Sequence, residues 1–161
     1  RSNLAGQIHH EYVYPLPTEP WISNEFQIYI NTWIEGWRRF SNKPDFNPKY
    51  QLTQMWINRM RAKEYNPIHI HTNCSLSFVL FLEVPQRMLD EAKGKPPTNV
   101  GSNPGELSFI YGEEGQGRVT EKQFTPKVNT LLLFPATLRH SVIHFNSKVT
   151  RTSVAGNIKF I

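Results

Sequence analysis

The chain has 161 residues, 39% of them hydrophobic and 12% aromatic, and 18 basic against 13 acidic side chains give a formal charge of +5. That length suits one domain with a substantial core, and the composition excludes a disordered polymer. Apolar runs reach only ~8 residues, too short for a transmembrane helix, and the basic residues are scattered rather than gathered into the stripe that nucleic acid requires.

A single cysteine, Cys74, excludes an internal disulfide and fits a reducing compartment, so a cytoplasmic location is expected. Cys74 itself reads as a small buried hydrophobe rather than a ligand. No secretory signal pattern is visible, and the chain opens at Arg1. Residues 1–17 read as an extended entry in which Ile8, His10, Tyr12 and Tyr14 share a face, ended by Pro15 and Pro17. His9 and His10 are taken as surface or strand residues, not ligands. From Glu19 to Phe40 the period becomes helical: Phe26, Ile30, Trp33, Ile34 and Trp37 form an aromatic-rich stripe, with Ser23 or Asn24 as the N-cap. That helix is expected to lie against the outside of a sheet. Residues 41–50 carry loop chemistry.

Tyr50 to Met60 alternates as a long strand with Gln54, Trp56, Asn58 and Met60 on one side. A second strand is predicted from His69 to Val84, apolar enough in its latter half to be covered on both faces and closed by Pro85. Residues 86–105 start as a short helical turn and become a long Pro/Gly-rich connection, which marks a lid or insertion. Leu107–Tyr111 is a short strand, and 112–127, with Gly115 and Gly117, a loop or loose hairpin. Leu131–Phe134 is a buried strand stopped by Pro135, and Arg139–Phe145 and Val149–Ile161 complete the set. Leu4-Ala-Gly-Gln-Ile8 echoes Val154-Ala-Gly-Asn-Ile158, so the two ends are candidates to pair in one sheet. One helix with seven or eight strands and turns between them favours a mainly β, antiparallel fold: a sandwich, jelly roll or small barrel.

His69 and His71 stand two apart, which on a strand puts both imidazoles on one side, where neutral imidazoles on rigid backbone chelate transition metals. A third, His140, ends the turn Pro135-Ala-Thr-Leu-Arg-His140 after a buried strand. Three histidines suit Fe(II), Zn(II), Ni(II) or Cu(II). Eleven residues further on, Arg151 and Ser153 share a strand face, and a guanidinium fork beside a hydroxyl suits a carboxylate-bearing ligand.

His69-x-His71, distal His140 and Arg151-x-Ser153 together resemble the iron(II)/2-oxoglutarate-dependent oxygenase superfamily. The segments Tyr65-Asn-Pro-Ile-His-Ile-His and Leu-Leu-Leu-Phe-Pro-Ala-Thr-Leu-Arg-His-Ser-Val are similar to its prolyl-hydroxylase-like branch of marine bacteria and phages. The resemblance covers residues 54–161 and implies a double-stranded β-helix (jelly roll) with one or two flanking helices. It implies a single domain over 1–161, with 1–50 as the N-terminal strand and helix flank and 51–161 as the metal-binding core. It further implies Fe(II) on His69, His71 and His140, with 2-oxoglutarate and O2 as co-substrates. Arg151 and Ser153 would grip the far carboxylate of 2-oxoglutarate, and Asn58 and Trp56 would line its pocket. The implied reaction converts 2-oxoglutarate to succinate while hydroxylating a small-molecule or peptidyl substrate.

One position departs from the superfamily, whose second ligand is an Asp or Glu: His71 stands there and leaves a metal centre one charge more positive. Glu83, at the far end of the predicted strand, is badly placed to replace the acid. The histidine spacing also matches a cupin, but Cys74 and Ser75 stand where cupins usually carry a Glu, Thr137 replaces a Gly, and Arg151 would have no role. A third reading is a non-catalytic jelly-roll binding module whose histidines are incidental. Metal content and succinate formation separate the three.

Overall fold

A computed structural model describes residues 7–16, 21–93, 103–112 and 120–161. Nine strands and two helices are present among them. They run β1 (Glu11–Val13), α1 (Trp21–Ser41), β2 (Tyr50–Arg61), β3 (Asn66–His69), β4 (Leu76–Glu83), α2 (Gln86–Leu89), β5 (Leu107–Ile110), β6 (Glu121–Phe124), β7 (Leu131–Pro135), β8 (Arg139–Val142) and β9 (Thr150–Phe160). One sheet has the order β1-β2-β9-β4-β7 and the other β3-β8-β5-β6, and the strand pairs are antiparallel. Two face-to-face antiparallel sheets with non-sequential neighbours make the expected jelly roll.

Alternation along β2 and β9 sorts the core into two layers. Inward residues meet the second sheet in a cluster that includes Met60, Phe109, Phe134 and Phe145. Outward residues of the larger sheet (Leu76, Phe78 and Ile158) meet the α1 stripe at Ile30 and Ile34, with Phe26 and Trp33 at its margin. Each of those two isoleucines is nearly fully buried, and such burial contributes about 1.5–3 kcal/mol. The helix therefore docks on the outside of the sheet, as its period predicts. Gly156 permits the close approach: a Cβ there would sit 2.6 Å from the Phe78 ring and 2.7 Å from the Gln54 carbonyl.

Several boundaries differ from the expectation. The helix starts at Trp21, so Ser23 and Asn24 fall within its first turn rather than at a cap; local cap signals place an end only to a residue or two. The single strand predicted from His69 to Val84 is two strands in different sheets. The chain leaves the smaller sheet after His69, turns at Asn73 with φ of 61°, and enters the larger sheet at Leu76. Asparagine tolerates that left-handed conformation better than most residues, and two-residue periodicity carries no mark of a change of sheet. The entry strand contracts to Glu11–Val13 and pairs with β2, not with β9. Leu4–Gly6 of the repeated motif, residues 17–20, and parts of both connections (94–102 and 113–119) lie outside the described residues. The helical turn after Pro85 is α2 followed by a 3-10 turn over Asp90–Ala92, and the loose hairpin after Gly112 is β5 paired with β6. The last two strands end and begin earlier and later than expected, at Val142 and Thr150. No helix among the described residues is long and apolar enough to cross a membrane.

Candidate metal centre

The three histidines arrive by three routes. His69 ends β3, at the edge of the smaller sheet, and pairs in register with His140 on β8. His71 lies two residues beyond the strand. Its backbone N–H donates to the Ala136 carbonyl at 2.9 Å, which ties it to the turn between β7 and β8. Its ring stacks on Trp56 of β2, with centroids 5.8 Å apart and planes 20° from parallel. One ring nitrogen from each histidine lies within 4.8 Å of the others, and the Nε2 atoms of His71 and His140 are 3.2 Å apart.

Carbonyl oxygens only accept, so they reveal which nitrogen carries the proton. His69 Nδ1–H donates to Pro67 at 2.7 Å, and His140 Nδ1–H donates to Leu138 at 2.8 Å. A neutral ring that donates from Nδ1 keeps its lone pair on Nε2. Burial, chiefly, lowers the pKa of His71 to about 4; the neighbouring His69 adds to this, and a hydrogen bond with the Asn157 side chain opposes it. Burial likewise takes His140 to about 4, opposed by its bond to Leu138 and reinforced by His69 and His71. Phe134 and Phe109 pack against the His140 ring and keep water from it. Both imidazoles are therefore neutral near pH 7. Three imidazole nitrogens converging to this distance fit a divalent first-row metal ion. No carboxylate belongs to this cluster among the described residues.

A cavity of about 820 Å³ runs from the histidines along the inner faces of β2 and β9. Asn58 pairs in register with Ser153, and Met60 with Arg151, so these four share that face. Arg151 is only 2% exposed. Its Nη1 donates to the Gly105 carbonyl at 2.7 Å, its guanidinium lies over the Phe81 ring at 5.5 Å, and its Nε has no partner among the described residues. No carboxylate forms an ion pair with it among the described residues. Burial lowers its pKa to about 10, which still leaves it a cation at pH 7. A buried guanidinium with an unused donor is costly unless an anion meets it.

Of the residues singled out in the sequence, the structure brings His69, His71 and His140 together and places Arg151 and Ser153 in the lining of the same cavity. His71 arrives from a loop rather than from the strand face its spacing predicted. Asn58 also faces the cavity, but its amide is engaged: oriented with its NH2 toward Glu11, it donates to Glu11 Oε1 at 2.7 Å and accepts from Trp56 Nε1 at 3.2 Å. Cys74 is half-buried beside the cavity and outside the ligand cluster. Glu83 accepts from Thr152 Oγ1 at 2.9 Å, remote from the histidines in its bonding. Sequence reasoning missed Gly105, Phe81 and Asn157. The alternation that singled out Arg151 and Ser153 extends to Asn157 and would have flagged it.

Residues 54–157 match the model of a family described as "Putative 2OG-Fe(II) oxygenase". Among solved structures, an oxidoreductase of the 2OG-Fe(II) oxygenase family from Burkholderia pseudomallei aligns over 76% of this chain with 21% identity and a TM-score of 0.51. The chain spans 49% of that protein's length. A viral collagen prolyl hydroxylase from Paramecium bursaria Chlorella virus-1, solved with 2OG, aligns over 92% of this chain and 77% of its own, at 11% identity and a TM-score of 0.56. A Pseudomonas putida prolyl-4-hydroxylase aligns over 98% and 76%, at 14% identity and a TM-score of 0.55. At these identities the likeness is one of fold. No curated protein matches.

Proposed function

The chain belongs to the 2OG-Fe(II) oxygenase family, and from that premise we propose that it is an Fe(II)/2-oxoglutarate-dependent dioxygenase that hydroxylates its substrate. His69, His71 and His140 hold the metal, and Arg151 with Ser153 binds the far carboxylate of 2-oxoglutarate. The observation that carries this reading is the convergence of three imidazoles, within 4.8 Å at their nitrogens, in the cavity that also receives a buried arginine.

Iron held there would supply the redox chemistry that couples conversion of 2-oxoglutarate and O2 to succinate and CO2 with hydroxylation of a substrate C–H bond. The remaining work falls to the chain's own residues. Three neutral ligands leave the full dipositive charge of the ion uncompensated, which favours a dianionic co-substrate more than a site containing a carboxylate does. Arg151 presents a planar fork with a donor left over among the described residues, and its bond to Gly105 sets the orientation of that fork. Ser153, buried on the same face, adds a hydroxyl donor. Phe81 under the guanidinium and Trp56 against His71 restrict side-chain motion and exclude water. A cavity of about 820 Å³ is larger than 2-oxoglutarate needs and leaves room for a small molecule or a peptidyl group. Two structural neighbours are named as prolyl hydroxylases, which keeps a peptidyl substrate in view. The single free Cys74 is compatible with a reducing, cytoplasmic setting. Arg151 has no role in a cupin reading, and a binding module has no use for three converging imidazoles.

The test is anaerobic metal titration followed by 2-oxoglutarate turnover. Wild-type protein is expected to take up one Fe(II) or Mn(II) and to form succinate in air, and His140→Ala to lose both. Equal metal uptake by His140→Ala, or no succinate above background from metal-loaded wild type across candidate substrates, would overturn the assignment.

A further inference from the structure

Asn157 occupies the floor of the cavity on the same face of β9 as Arg151 and Ser153, and it is 6% exposed. Its carboxamide is held from both flanking strands. Ser77 Oγ of β4 donates to its Oδ1 at 2.9 Å, and its Nδ2 donates to Gln54 Oε1 of β2 at 2.9 Å. Both anchors are its register partners across the sheet, so the amide is fixed by backbone pairing as well as by hydrogen bonds. The His71 ring lines the same cavity, and the Asn157 side chain is near enough to act on it as a hydrogen-bonding group that opposes the lowering of its pKa.

His71 differs here from its two neighbours. His69 and His140 each send Nδ1–H to a carbonyl two residues earlier in their own segment. For His71, among the described residues, no backbone carbonyl takes that part. We propose that Asn157 is the positioning residue for His71: its Oδ1 accepts the His71 Nδ1–H and so keeps Nε2 as a lone pair toward the metal position. This rests on the three-histidine reading given above. A carbonyl oxygen has two lone pairs, so Oδ1 serves Ser77 and His71 together. The choice of tautomer has consequences because His71 Nε2 stands only 3.2 Å from His140 Nε2. With the proton on Nε2, His71 would donate to His140 and occupy two ligand lone pairs in one hydrogen bond. With the proton held on Nδ1 by Asn157, both lone pairs stay available. Outer partners of this kind commonly change metal affinity 10- to 100-fold.

The proposal is tested with Zn(II) and Co(II) titrations of the wild type, Asn157→Leu and Asn157→Asp, together with 15N NMR of the Zn(II)-loaded proteins. The wild type is expected to show a slowly exchanging His71 Nδ1–H. In Asn157→Leu that proton exchanges rapidly and Co(II) affinity falls about 10- to 100-fold. Asn157→Asp keeps an acceptor oxygen but loses the donation to Gln54, and it restores both the protected proton and near wild-type affinity. If the amide merely ties β2 to β9, the Asp variant loses protection and affinity as the Leu variant does, and the proposal is overturned. Unchanged affinity and exchange in Asn157→Leu overturns it equally. Should Asn157→Leu fail to fold, protection of the His71 proton in Asn157→Asp decides the matter alone. Wild-type protein that binds neither ion removes the three-histidine reading itself, and the proposal with it.

Discussion

Replacing Arg151 by Met probes the co-substrate site while keeping an unbranched apolar stem there, because Met lacks the guanidinium head with its donors and its charge. Among the described residues the guanidinium makes one hydrogen bond, to Gly105, and its Nε has no partner at 2% exposure. Losing the charged hydrogen bond costs about 1.5–3 kcal/mol. That loss is offset by no longer holding an unpaired charge out of water, the penalty behind its depressed pKa of about 10. Thermal stability of the metal-free protein should therefore change little. The ligand complex behaves differently, since there the arginine meets a carboxylate in a dry site. Removing one side of such a pair costs about 2–4 kcal/mol, or roughly a 30- to 1,000-fold rise in the 2-oxoglutarate Kd. Arg151→Lys restores the charge but not the fork and should recover only part of the affinity. The assay is calorimetric titration of Mn(II)-loaded protein with 2-oxoglutarate, without oxygen, alongside a metal titration. An unchanged Kd in Arg151→Met, or a parallel loss of metal affinity, would refute the placement of Arg151 at the far carboxylate.

Two further outcomes follow from packing and protonation. His71 and His140 are held near pKa 4, below the ordinary value of 6.5. The unfolded chain therefore binds more protons than the folded one between those values. Stability of the metal-free protein is fully present above about pH 6.5 and is lost as pH falls toward 4. Thermal melts from pH 7 to 4 measure it, and a His71→Gln variant with the same pH dependence as wild type would sink the attribution. Gly156→Ala forces a methyl against the Phe78 ring and the Gln54 carbonyl, where α1 packs on the sheet. It should destabilise by about 1–3 kcal/mol in urea unfolding, and a neutral result would contradict the packing described.

The parts of the fold that local chemistry dictates were legible residue by residue. The stripe of Ile30 and Ile34 with Phe26 and Trp33 announced a helix with one buried face, and it docks on the sheet as that pattern requires. The shared face of Trp56 and Asn58 was legible from alternation, which assigns faces without knowledge of the partner strand, and both side chains line the cavity. The helix start was less legible, since a cap signal is one side chain among several that would serve.

Residue identity and spacing alone offered three imidazoles, a guanidinium and a hydroxyl as candidate groups for a metal ion and a carboxylate. Only the tertiary structure decided how those groups meet. His69 faces His140 because β3 and β8 pair in register, a contact between residues 71 positions apart that no local period encodes. His71 reaches the same point from a loop, because the chain changes sheets through the left-handed Asn73 and is held there by Ala136 and Trp56. The pairing of β9 with both β2 and β4 places Asn157 between Gln54 and Ser77, beside His71. Enclosure by Phe81 and Gly105 is what makes Arg151 a buried cation with a spare donor, because desolvation depends on everything that surrounds a group and not on its neighbours in sequence.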